Sequence, residues 1–74
     1  MITEIGIVAG EIWHYLDKHE KVLLSEIVSN LNREKEIILM SVGWLAREGY
    51  IVLERKESNF MVFLRKLTDE KPLE

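Results

Sequence analysis

The spacing of apolar residues near the N-terminus predicts a long amphipathic helix. These residues recur every three or four positions, which places them on one helical face: Ile5, Val8, Ala9, Ile12, Trp13 and Leu16. Thr3 can cap this helix. Gly6 and Gly10 lie on its flank and together cost the helix about 2 kcal/mol relative to alanine. That cost predicts close packing at the glycines, either by another helix of the same domain, which we favour, or by a second copy of the protein.

A second helical pattern leads directly into a strand. Its predicted core positions share one helical face: Ile38, Ser41, Val42 and Leu45. Gly49 follows the last apolar repeat, where helices commonly end in a left-handed residue. Tyr50 to Leu53 then has the apolar and β-branched residues of a strand. We therefore expect a helix that stops at Gly49 and turns at once into a strand.

The segment between these two helices predicts a short strand and a short helix. Val22 to Leu24 is an apolar run of strand character, and Ser25 is a suitable N-cap for a helix of about two turns. The turn falls at residues 30–32, where Asn32 can cap the following helix. Two helices joined by so short a turn are typical of a helix-turn-helix.

The C-terminal half predicts a β-hairpin and a tail. Phe60 to Leu64 is a second apolar run, separated from the first by a charged tip at residues 54–59. The order of elements is that of an α+β winged helix-turn-helix domain, with three helices, a short strand and a C-terminal hairpin wing, over residues 1–66. Residues 67–74 are expected to form a flexible acidic tail, and Leu73-Glu74 is typical of the remnant of an expression tag.

Two sequence blocks carry a more specific resemblance. Residues 5–16, I-G-I-V-A-G-E-I-W-H-Y-L, and residues 43–51, G-W-L-A-R-E-G-Y-I, resemble the signature blocks of a family of small, stand-alone winged helix-turn-helix proteins of bacteria and archaea. That family is known as a domain of unknown function. The resemblance covers roughly residues 3–65 and implies the winged helix fold and, by analogy with that fold, a DNA-binding role.

Composition narrows the classes of function. A chain of 74 residues leaves little room for an enzyme cleft beside its core. The formal charge of −3 confines any nucleic-acid surface to a local patch. With no cysteine, disulfides and thiolate metal sites are excluded.

The N-terminus lacks the pattern of a signal peptide, and the aliphatic run Ile37 to Met40 is too short to span a membrane. We expect a cytoplasmic protein with no membrane contact.

Catalytic patterns are weak. His14 and His19 are five positions apart and point in different directions on a helix, so they do not form a metal-binding pair. The four serines have no base partner recognisable from the sequence, and the two helical glycines lack the Lys-Ser/Thr of a phosphate-binding loop. We expect a protein that is not an enzyme and that needs no cofactor or metal.

Five cations are candidate contacts to double-stranded DNA. In winged helix proteins the second helix of the pair enters the major groove, and a basic wing can follow the phosphate backbone. The candidates lie on the predicted helix 33–48 and the wing 51–65: Arg33, Lys35, Arg47, Arg55 and Lys56. Arg47 is equally explained as a solvated charge or an ion-pair partner, and the wing cations as charges that keep a small domain soluble.

The predicted outward face of helix 33–48 is a poor match to DNA. Three cations there are balanced by three carboxylates, and Leu39 and Met40 are predicted to face outward beside Gly43. Exposed apolar patches mark protein contacts more often than base contacts. Trp44 flanks this face, although we expect it mainly to close the core. The sequence narrowly favours DNA binding in a transcription-regulatory setting. The alternative is a protein-interaction module that binds another protein or forms a homodimer, using Gly6, Gly10, Leu39, Met40 and Trp44.

Overall fold

The computed structural model describes residues 2–65, and the expected acidic tail lies outside them. The order of elements agrees with the prediction. The elements are α1 (Ile2–Lys18), β1 (Val22–Leu23), α2 (Leu24–Asn30), α3 (Lys35–Arg47), β2 (Ile51–Lys56) and β3 (Asn59–Leu64). The candidate recognition helix is therefore shorter than the predicted span 33–48, and Arg33 lies before its start.

The core lies where α1 crosses α3 and where the sheet covers the three helices. Val8 and Ile12 of α1 are fully buried, as are Ile27 of α2, Ile38 of α3 and Val62 of β3. The predicted core positions of α3 are all buried, including a serine. The Ser41 hydroxyl donates to the Ile37 carbonyl at 2.8 Å, so its burial leaves no unsatisfied polar atom.

The helix starts differ from the predicted caps. Leu23, not Ser25, occupies the N-cap of α2, and the Glu26 carboxylate accepts a hydrogen bond from the Leu23 amide at 2.8 Å. Ser25 instead accepts a hydrogen bond from the Asn59 amide of the wing at 3.0 Å. The Asn32 prediction is also wrong, because Glu34 holds the N-cap of α3 without a side-chain bond. At Ser25 a contact with the wing replaced the predicted cap. At Asn32 the predicted cap is absent because α3 begins two residues later than expected.

The end of α3 agrees with the prediction in detail. Gly49 has a φ of +83°. Its amide donates to the Ala46 carbonyl at 3.1 Å, and the Tyr50 amide donates to the Leu45 carbonyl at 3.0 Å. This pair of bonds is the Schellman motif, which satisfies the last helical carbonyls and reverses the chain. The reversal starts β2 at Ile51, with Tyr50 beside the helix end.

The three strands form an antiparallel sheet in the order β1-β3-β2. Val62 lies at its centre, paired with Val22 on one side and Leu53 on the other. The wing differs from the predicted six-residue tip, because Lys56 pairs with Asn59 and leaves only a two-residue turn. Glu57 in that turn has a φ of 54°. Pairing between the strands thus continues into the charged segment that the sequence assigned to the tip.

We predict that Gly49→Ala lowers the free energy of unfolding by roughly 1–2 kcal/mol, because an L-residue is strained at this φ. The added Cβ would lie 3.6 Å from Arg65 Nη1, an ordinary contact, so the loss reports backbone strain. Gly43→Ala is the matched control in α3, since its Cβ meets nothing within 4 Å. It should raise stability by up to about 1 kcal/mol. Urea unfolding of both variants measures this difference, and equal shifts in the same direction would contradict it.

Candidate functional site

The outward face of α3 carries the side chains predicted for it. Leu39 and Met40 have 39% and 44% of their surface exposed. The charged and glycine positions of this face are also exposed: Lys35, Glu36, Gly43 and Arg47. Leu39 leans toward α2 and the wing, where it borders a groove with Val28 and Phe60. The helix that occupies the recognition position therefore presents two large apolar side chains among its exposed charges.

Arg33 does not extend from that face. It lies in the turn before α3, and its guanidinium holds the Glu11 carboxylate of α1 with two hydrogen bonds, Nε to Oε1 at 3.0 Å and Nη2 to Oε2. A bidentate pair of this kind is the stronger form of ion pair. Any contact of Arg33 with phosphate would have to compete with Glu11.

The ion pair lowers the pKa of Glu11 and raises the pKa of Arg33. Hydrogen bonds from Arg33 hold the pKa of Glu11 below its ordinary value; partial desolvation opposes this and the guanidinium charge adds to it. The pKa of Arg33 is raised, first by its hydrogen bonds to Glu11. The pKa of Glu11 is lower in the folded protein than in the unfolded chain. The Glu11–Arg33 pair therefore stabilises the fold at pH values above the unfolded-state pKa, and this stabilisation is lost as the pH falls through the folded-state pKa.

The wing cations are exposed but partly engaged. Arg55 lies over the Phe60 ring, 5.2 Å from its centroid, and its Nε donates to the Glu57 carbonyl at 3.3 Å. Lys56 is exposed at the tip. Arg65 lies at the far end of the wing, where its amide donates to the Tyr50 carbonyl. Among the described residues of the hairpin, Arg55 and Lys56 therefore lie at the tip and Arg65 lies at the opposite end.

A groove of about 230 Å³ runs along the seam between α1 and α3. Its floor is made of small or apolar residues and its walls are aromatic. It is lined by Gly6, Ala9, Gly10, Trp13, Trp44, Leu45 and Tyr50. The Trp44 and Tyr50 rings lie 6.2 Å apart between centroids, and none of the lining residues is charged.

The groove corrects two expectations from the sequence. A Cβ added at Gly6 or Gly10 would meet nothing within 4 Å, so none of the helices in residues 2–65 packs there. Trp44 was expected mainly to close the core, yet 45% of its surface is exposed. The two glycines and Trp44 are instead brought together on the outside of the α1–α3 pair.

Trp13 and Tyr50 are groove residues that sequence reasoning did not assign to a site. They are 37% and 47% exposed. The spacing of Trp13 from Gly6 and Gly10 already put the three on neighbouring positions of one helical side. The position of Tyr50 had a signal too, since the residue after a Schellman glycine lies against the last turn of its helix.

The two histidines have structural contacts, as do Ser25 and Ser41. His19 stacks on Tyr15, and its Nδ1 forms a hydrogen bond with the Tyr15 backbone carbonyl at 2.8 Å.

Within residues 2–65 there is no group of three or more His, Asp or Glu placed to hold a metal ion. No helix of the described part of the chain is both long and apolar enough to cross a membrane.

The three helices, the short strand that joins the sheet and the hairpin after α3 define a winged helix-turn-helix domain. The chain belongs to the family described as "Winged helix-turn-helix domain (DUF2582)", whose model matches residues 1–64. It is similar to "Uncharacterized protein MJ1608" of Methanocaldococcus jannaschii, with 37% identity over 68 residues, 88% of this chain and 96% of that protein. It is also similar to the solution NMR structure of protein BT2368 from Bacteroides thetaiotaomicron. That match has a TM-score of 0.79 at 32% identity and covers 97% of this chain and 89% of the other.

Family membership establishes the fold, and winged helix domains commonly bind DNA. A shared fold does not by itself assign an activity, because one fold can carry many functions. The function therefore has to be argued from the surface of this chain.

We predict that a pH titration of the Glu11 carboxyl carbon by NMR gives a pKa below that of an unperturbed glutamate. Arg33→Gln should return it toward the ordinary range, because the hydrogen bonds and the positive charge are removed together. A Glu11 pKa that does not respond to Arg33→Gln would contradict the assigned ion pair.

Proposed function

We propose that this winged helix domain is a protein-interaction module that acts by binding rather than by catalysis. The observation that carries the proposal is the exposure of Leu39, Met40 and Trp44 on α3, each between 39% and 45%. Apolar surface of this kind favours contact with another protein. Its partner should present an apolar and uncharged surface, because charges buried against Met40 and Trp44 would lose their hydration without compensation.

The charges of α3 support the same proposal. Over residues 33–48, the cations Arg33, Lys35 and Arg47 are matched by Glu34, Glu36 and Glu48. One of these cations, Arg33, is already paired with Glu11. Non-specific affinity for DNA comes mainly from neutralising phosphates. The segment 33–48 has no net positive charge and therefore contributes little to that affinity.

Binding of double-stranded DNA in a regulatory setting is the second candidate. It is favoured by the fold and by four exposed cations on α3 and the wing: Lys35, Arg47, Arg55 and Lys56. Arg33 contributes to this candidate only if it leaves Glu11. The two candidates differ in their dependence on salt, because apolar contacts are not weakened by screening.

A photo-reactive phenylalanine analogue in place of Met40 tests the interaction proposal in living cells. We expect a covalent adduct with a defined protein, or with a second copy of this chain. The same probe in place of Glu20, which is exposed in the loop after α1, is the positional control. Trp44→Glu should abolish the Met40 adduct because it places a charge in the apolar contact. Identical adducts at both positions, or an adduct unaffected by Trp44→Glu in a folded protein, would refute the proposal.

Titration with duplex DNA of several sequences tests the second candidate. If about four phosphates are neutralised, raising salt from 50 to 200 mM should lower the affinity by roughly a hundredfold. The amides of residues 35–36 and 54–60 should shift, and Arg55→Gln with Lys56→Gln should weaken binding to all sequences alike. No amide shift at low salt with any duplex would exclude DNA binding through this surface.

A further inference from the structure

We propose that the partner is a second copy of this chain, held by antiparallel packing of α1 against α1 across the α1–α3 groove. The inference rests on the proposed function, since Trp44 of that apolar surface also lines the groove, whereas Leu39 and Met40 do not. It goes further in assigning the contact to the exposed residues Gly6, Gly10 and Trp13 of α1.

The spacing of these three residues makes the surface self-complementary. In an antiparallel crossing centred between residues 9 and 10, Gly10 of each copy lies against the backbone of residue 9 of the other, because the Ala9 side chain is buried within its own copy. Residue 13 of each copy then meets residue 6 of the other. The largest side chain of the surface, Trp13, thus lies over a glycine, and it does so twice because a two-fold contact repeats every pairing. To bind a different partner, the domain would need only a groove. This surface has the groove and also Trp13, the side chain that fits beside Gly6 of a second copy.

The glycines have no explanation inside one copy. Both lie within α1, where glycine weakens a helix. Neither has positive φ, and a Cβ at either position would enter open space. Close approach of another backbone is a remaining physical reason for the absence of a side chain.

The charges of the surface permit contact with itself. A two-fold contact brings each charge near its own copy, so a surface of one sign would repel itself. The exposed residues of α1 between Glu4 and Asp17 carry no formal charge when histidine is counted as neutral: Gly6, Ile7, Gly10, Trp13 and His14. Glu11, on the adjoining side, is neutralised by Arg33.

The exposed area indicates a weak dimer. Trp13, Trp44 and Tyr50 are 37%, 45% and 47% exposed, which amounts to roughly 200–300 Å² of aromatic surface. A stable interface buries about 800 Å² on each partner, so the contact must also include neighbours such as Ile7, which is 54% exposed. We expect a dissociation constant between about 10 μM and 1 mM.

Sedimentation equilibrium over a concentration series tests the dimer. The mass should rise from the monomer value of 8.7 kDa toward twice that value. Gly10→Ala should raise the dissociation constant about tenfold or more, because the added methyl groups hold the two helices apart. The same variant should unfold at a higher temperature when dilute, since alanine favours the helix. Trp13→Glu should abolish the dimer through burial of two like charges.

Leu53→Ala is the matched control, because Leu53 is 39% exposed on β2 and does not line the groove. Its dissociation constant should match that of the unmodified chain. A monomer at every concentration up to about 1 mM, or a dimer that Gly10→Ala leaves unchanged, would overturn the inference. Cellular adducts from Met40 with a different protein, together with no dimer in sedimentation, would overturn the second copy as partner and still support the interaction module. No dimer and no specific adduct would refute both proposals.

Discussion

The packing of α1 against α3 is the contact on which the rest of this domain depends. Its inner side buries Val8, Ile12 and Ile38, which supply much of the core beneath the sheet. Its outer side leaves a groove, because Gly6 and Gly10 have no side chains to fill the space beside Trp44. The same crossing therefore stabilises the fold and creates its most apolar surface. Changes in the crossing angle would alter both, since packed helices respond as units.

The position of α3 in the fold suggests DNA binding, whereas the chemistry of its surface suggests a protein partner. The helix follows the turn, as a recognition helix does, and the wing stands beside it. Yet one cation near its start, Arg33, is held by Glu11 and ties the turn to α1. An arginine in a bidentate pair already has much of its hydrogen-bonding capacity satisfied. Beside the exposed charges of α3, Leu39, Met40 and Trp44 are also exposed, and apolar side chains of this size favour a protein partner.

The groove and the wing lie on separate surfaces. Arg55 and Lys56 are at the hairpin tip, and neither lines the groove between α1 and α3. Self-association through α1 would therefore leave the wings of both copies accessible. Two weakly basic wings joined in one particle would act with a higher effective concentration than either alone. Self-association and contact with DNA are thus compatible in this domain, and each is decided by its own residues.

The sequence alone determined the order of elements, the end of α3 at Gly49 and the outward direction of Leu39 and Met40. These features depend on local backbone preference and on periodicity, which act over a few neighbouring residues. The tertiary structure decided the partners across the domain. Arg33 meets Glu11 across 22 positions of sequence, and Trp13, Trp44 and Tyr50 gather around glycines that had been expected to be covered. Helical periodicity gives the direction in which a side chain points, but only the packing of two helices determines which residues become its neighbours.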